Sequence, residues 1–161
     1  MSAAIDNPAR AGSGRLIASP ERARALAGRS GPEVRIEILE AGAIGACLPA
    51  GAVHQGVAFD TSLLAPTPLD ALGTPAAGVL IMLDQVTDPQ NVGAIFRSAA
   101  AFGARGLILQ DRHAPPLIGA LAKAAAGAID KIPHAREINL SRALERLEAL
   151  GWRTIGLDGE A

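Results

Sequence analysis

An α/β fold built on a parallel sheet is what this sequence predicts, and three observations carry the prediction. Val79-Leu80-Ile81-Met82-Leu83 is a continuous apolar run of strand length, the pattern of a strand buried on both faces. After it, helical and strand patterns alternate with short connections, which argues for an open parallel sheet. Hydrophobic residues make up 49% of the 161, enough to build a core.

The elements follow in order. Residues 1–64 mix short apolar runs with Gly, Pro and Arg. Arg15-Leu16-Ile17-Ala18 reads as a short strand. Ser19-Pro20-Glu21 is a helix start, a cap followed by Pro at the first helical position, and that helix runs to about Ala27, before Gly28. Glu33 to Leu39 and Gln55 to Phe59 read as further strands, so this half is a small α/β domain. Pro66, Pro68 and Pro75 then interrupt residues 65–75, which read as a linker.

In the second half, Asp88-Pro89-Gln90-Asn91 is a turn that opens a helix. Val92, Ile95, Phe96, Ala99 and Phe102 share its apolar face, and Gly103 ends it. Gly106 to Leu109 is the next strand, and Pro116 to about Ala126 an Ala-rich helix. Ser141 to Leu150 is another helix, with Leu144, Leu147 and Leu150 at helical spacing, and Arg153 to Leu157 a final strand.

Composition removes several function classes. Fifteen Lys and Arg against sixteen Asp and Glu give a net charge of -1, which argues against a strongly basic nucleic-acid coat. Four aromatic residues, Phe59, Phe96, Phe102 and Trp152, are too few for a base-stacking platform. One cysteine, Cys47, excludes an internal disulfide framework and a zinc ribbon, and reads as a small buried apolar residue. No apolar run reaches ~18 residues, and the first fifteen residues lack the apolar stretch of a secretory signal. A cytoplasmic protein is the expectation.

The densest polar cluster is Asp84 to Asn91, between a buried strand and a helix. In open parallel sheets ligands bind outside the carboxyl ends of the strands, which is where this loop lies. Gly93 allows close backbone approach, and a helix N-terminus offers unpaired N–H groups for a phosphate or an oxyanion. The plainer alternative is that Asp88 or Asn91 caps the helix. Arg97 lies about 160° from the centre of the apolar face. It reads either as a solvated arginine or as a group at an interface, because Gly93, Ala94, Ser98 and Ala101 around it are small. His54, His113 and His134 are isolated and read as loop histidines; no metal site is expected.

The run from Leu83 to Gly103, with its Asp88-Pro89-Gln90-Asn91-Val92-Gly93-Ala94-Ile95-Phe96-Arg97 core, resembles the first motif of the SpoU (TrmH-type) RNA ribose methyltransferases. Lys123-Ala124-Ala125-Ala126-Gly127-Ala128 is similar to the family's K-x-S-x-G-A stretch, with Ala125 where Ser is usual. His54-Gln55-Gly56-Val57 is similar to its H-Q-G-V. The resemblance implies a small substrate-binding domain of ribosomal-protein-like α/β fold over 1–66, a linker over 67–76, and a SPOUT-type parallel α/β methyltransferase domain over 77–161. It implies methyl transfer from S-adenosylmethionine to a ribose 2′-hydroxyl of rRNA or tRNA, in a homodimer. Arg97 and Asn91 are then the catalytic residues, and Asp88, Asn91 and Arg97 bind substrate.

The family's G-x-E-x-x-G and S-L-N-x-S motifs, which form its C-terminal knot and most of the cofactor pocket, have no counterpart before Ala161. The front resembles the end of the family's first helix. The expectation is therefore a fragment without its knot, inactive and unable to bind S-adenosylmethionine alone. Two other classes stay open on the residues: a non-catalytic RNA-binding or dimerising module, and a small-ligand α/β domain. Arg97, Arg105, Arg112 and Lys123 against Asp111 give residues 91–123 a local excess of +3, which favours RNA over the last.

Overall fold

The computed structural model describes residues 2–10, 14–26 and 35–157. The chain divides into two compact units, 1–64 and 65–161.

The first unit holds a three-stranded mixed sheet. Strand β1 (Gly14–Ala18) lies in the centre, parallel to β2 (Arg35–Ile38) and antiparallel to β3 (Val57–Thr61). Leu16, Ile17 and Ala18 are all buried, so the central strand is covered on both faces. Helix α1 (Ser2–Ile5) precedes this sheet, and α2 (Pro20–Leu26) follows β1 directly, with Pro at its start as its sequence requires. The expected extension of α2 to Ala27 and the start of the second strand at Glu33 lie outside the described residues.

Helix α3 (Ala41–Ala46) has no counterpart in the sequence reading. Two glycines lower its helix propensity and only Ile44 is buried, so no apolar period announces it. Cys47, expected to be buried, is exposed just past its end.

His54-Gln55-Gly56 forms the turn into β3. His54 Nδ1 accepts the N–H of Gly56 at 3.1 Å, and the Gly56 carbonyl accepts the N–H of Ser19 at 2.8 Å. Gly56 has φ +80°, and a Cβ there would stand 3.0 Å from Ser19 Oγ, so both conformation and space call for glycine. His54 thus organises a turn.

The second unit is a parallel sheet in the order β4 (Leu80–Leu83), β5 (Gly106–Gln110), β6 (His134–Glu137). Helices cover both faces. On one, Leu107 and Leu109 pack with Val92, Phe96 and Ala99 of α5 (Pro89–Ala101) and with Leu121 of α6 (Gly119–Ala124). On the other, Ile108 packs with Leu69 and Leu72 of α4 (Leu69–Gly73) and Ala143 and Leu147 of α7 (Leu140–Ala149).

The structure corrects several expectations. The stretch read as a linker, 67–76, contains α4, whose Leu69 and Leu72 are core residues. Its end is secured by side chains distant in sequence. Arg105 donates to the carbonyls of Leu72, at 2.6 Å, and Thr74, and the Trp152 indole donates to that of Gly73 at 2.7 Å. Proline spacing cannot reveal such long-range partners. Strand β6 was missed because His134-Ala135-Arg136-Glu137 offers one apolar residue. His134, read as a loop histidine, is therefore a buried strand residue.

Arg153–Leu157, expected as a strand, pairs with none of the described strands; Ile155 is 85% and Leu157 97% exposed. An alternating pattern does not make a strand without a ladder partner. Phe102 is 89% exposed, because α5 stops one residue earlier and the side chain leaves its apolar face. The Ala-rich helix starts at Gly119, three residues later than Pro116 suggested.

Candidate functional site

The loop from β4 into α5 presents Asp84, Gln85, Thr87 and Asp88 to solvent at the carboxyl end of the sheet. Gln85 adopts φ +55°, a left-handed conformation rare outside glycine. At the helix start the sequence left two readings of Asp88, and the geometry shows the cap. Its Oδ2 accepts the N–H of Asn91 at 2.9 Å, and its carbonyl accepts the N–H of Val92 at 3.0 Å. Pro89 follows at the first helical position, as that arrangement favours. Asn91 itself is exposed one turn in.

Arg97 is exposed on the outside of α5, as its angle from the apolar face requires. It is nonetheless held: Nη1 donates to the carbonyl of Ala124, the last residue of α6, at 3.0 Å. The two helices can come this close because of Gly93. A Cβ there would lie 2.6 Å from Ala124 Cβ and 2.7 Å from the Leu121 carbonyl oxygen. The small-residue face is therefore divided. Gly93 is buried against α6 of the same chain, while Ser98 and Ala101 remain exposed. Ala125, at the position where the resemblance has Ser, is fully buried.

Three further polar residues of β5 and β6 carried no functional signal in the sequence. Arg136, four-fifths buried, donates to the carbonyls of Pro115 at 2.9 Å and Asp111 at 3.4 Å. Gln110, the last residue of β5, has a buried amide oxygen with no hydrogen-bond partner. His134 packs edge-on against Phe96 with ring centroids 6.5 Å apart. Burial, and secondarily the charge of Arg136, push its imidazole down to about 4. A group so hard to protonate, on a strand at the core, is a packing residue. Among the described residues no group of His, Cys, Asp or Glu could hold a metal ion.

Residues 78–161, which include the loop, α5 and α6, match the family model for the SpoU rRNA methylase family. The chain belongs to that family. It is 42% identical over 111 residues to an uncharacterized tRNA/rRNA methyltransferase of Synechocystis, covering 64% of this chain and 28% of that protein. Among solved structures it is similar to the SpoU methyltransferase AviRb of Streptomyces viridochromogenes in complex with the cofactor AdoMet. There the TM-score is 0.66 at 24% identity, covering 92% of this chain and 56% of that one. It is also similar to the AdoMet-bound rRNA methyltransferase of Sinorhizobium meliloti, with a TM-score of 0.67 at 21% identity, covering 92% and 56%. The chain thus spans about half the length of these solved structures. The likeness in structure agrees with the α/β parallel-sheet fold expected from the sequence.

Proposed function

We propose that the protein carrying this chain methylates a ribose 2′-hydroxyl of rRNA or tRNA, with S-adenosylmethionine as methyl donor. The observation that carries this reading is Arg97. It is a solvent-facing guanidinium fixed by a main-chain carbonyl, within the family's matching segment and on the same helix as the exposed Asn91. An arginine held in this way is suited to a phosphate and to oxygen that gains negative charge as its proton leaves. A guanidinium is in general too weak a base to take that proton unaided. Its role is to bind the phosphate beside the target ribose and to favour the ionised hydroxyl. Asn91 contributes polar contacts to the substrate, and Asp88 acts there through the cap that fixes the first turn of α5.

The residues at the strand ends fit the cofactor. The orphaned amide oxygen of Gln110 calls for an N–H donor, and S-adenosylmethionine carries such donors at both its adenine and its amino-acid ends. Gln110 and the Asp84–Asp88 loop would hold it, and when bound it supplies the methyl group. We further propose a cytoplasmic homodimer that uses the Ser98 and Ala101 side of α5. Ala101→Arg should then give a monomer by light scattering.

The test of the reaction is Arg97→Ala in the protein that carries this chain, followed by tritium transfer from labelled S-adenosylmethionine to RNA. Loss of transfer at an unchanged melting temperature is expected, because an exposed arginine adds little to the core. Near-normal transfer would sink the assignment.

A further inference from the structure

We infer that Arg136 is a positioning residue for Arg97, acting through the connection between β5 and α6. The inference rests on the reading of Arg97 given above. Residues 111–118 carry no helix or strand, yet they set where α6 begins. Arg136 reaches them from the carboxyl end of β6. Its Nη2 holds the Pro115 carbonyl at 2.9 Å and its Nη1 the Asp111 carbonyl at 3.4 Å, with the Asp111 carboxylate at 3.9 Å. One planar guanidinium thus ties both ends of a five-residue bend.

Two backbone bonds complete the anchorage: Asp111 N–H to the Glu137 carbonyl and Ala114 N–H to the Gln110 carbonyl, both at 3.0 Å. Beyond the bend, Leu117 is buried and α6 starts at Gly119. At its far end Ala124 meets Gly93 at contact distance and receives Arg97 at 3.0 Å. That packing is tight enough that a small shift of α6 along α5 separates Arg97 from its carbonyl. A hydrogen bond weakens steeply with distance and angle. The sheet therefore sets the catalytic guanidinium through Arg136, the bend and α6 in series.

The guanidinium of Arg97 can be read directly in this chain by ¹⁵N NMR. With Nη1 bonded to Ala124, rotation about the Nε–Cζ bond is slowed and its Nη signals separate. Arg136→Met and the milder Arg136→Lys should both collapse those signals to an average, since lysine has one nitrogen where the planar fork of Arg136 places two separate ones on the two carbonyls. Leu147→Ala, a core truncation on the opposite face of the sheet, serves as the control for lost stability and should leave the Arg97 signals as they are. Unchanged Arg97 signals in Arg136→Lys, or an equal collapse in Leu147→Ala, would overturn the inference. In the protein that carries this chain, Arg136→Lys should lower the methylation rate at saturating RNA at least tenfold, and an unaltered rate would also overturn it. Failure of the underlying reading looks different: Arg97→Ala would then methylate normally, while the NMR result with Arg136→Lys would stand.

Discussion

The two sheets share a design and differ in how much surrounds it. Each has three strands with the central one buried, Leu16 to Ala18 in the first unit and Leu107 to Leu109 in the second. Around β5 lie long helices on both faces, α5 with 13 residues and α7 with 10. Among the described residues of the first unit, the helices have four, seven and six residues, and a cluster rests on Ile17, Ile44 and Ala58. A unit of some 60 residues buries a smaller share of its surface and is correspondingly marginal. The second unit can therefore leave Arg97, Asn91 and the strand-end loop at its surface without depending on them for stability. In the first, single apolar side chains carry a large fraction of the fold.

The comparison breaks most sharply at Gly93. Gly93→Val puts a branched side chain against the Leu121 carbonyl and the Ala125 N–H, which are backbone and cannot rotate away. A loss of about 4 kcal/mol is expected, among the larger single-residue effects. Hydrogen exchange should show the loss at α5, α6 and β5, which Gly93 packs among; unchanged protection there would contradict the close approach at Gly93. The counterpart in the first unit is Ile44→Ala, fully buried on a short helix. It should cost about 3 kcal/mol, measured by urea unfolding, and should melt a unit with little stability to lose.

The same contrast governs what the sequence discloses. Strand β4 was legible as an apolar run, although it is an edge strand with only Leu83 buried and Val79 lies before it, 60% exposed, and helix α5 was legible from its clean helical face. Arg97 was legible because it stands opposite that face, and the family motif around it names a role. Helix α4 was not, since Leu69 and Leu72 are only two apolar residues among prolines, and their order depends on Arg105 and Trp152. Strand β6 and Arg136 were not, because His134-Ala135-Arg136-Glu137 holds a single apolar residue and a carbonyl clamp leaves no pattern along the chain. Gly93 was noticed for the right property, close approach, but the neighbour it admits belongs to the same chain.

Acid should separate the units next. His134 has a pKa near 4 in the fold against 6.5 for the ordinary imidazole. Between those values the unfolded chain binds more protons, so stability is complete above about pH 6.5 and falls as the pH drops toward 4. The loss across that window approaches ~3 kcal/mol. In the first unit the Arg15–Glu37 pair lowers the carboxyl pKa below 4.5. Its contribution is present above 4.5 and is lost only below it. Urea titrations at pH 7, 5.5 and 4 should find the second unit weakening first. His134→Leu should flatten that response; a variant as acid-sensitive as the wild type would remove His134 from the account.

The smallest effect tests whether the site's polar residues matter to the fold at all. Asp88 caps α5 through Asn91, and Asp88→Ala should cost the second unit about 1 kcal/mol. Asp88→Asn keeps an oxygen in the capping position and loses only the favourable charge at the helix start, a few tenths of a kcal/mol. If Asp88 serves the reaction through the cap, the Asn variant should methylate RNA as the wild type does, and the Ala variant should lose activity as the first turn frays. Chemical denaturation and tritium transfer measured on the same three proteins decide it. A stable Asp88→Asn protein that fails to methylate would show that the carboxylate itself meets the substrate, and that Asp88 belongs with Arg97 among the residues that touch RNA.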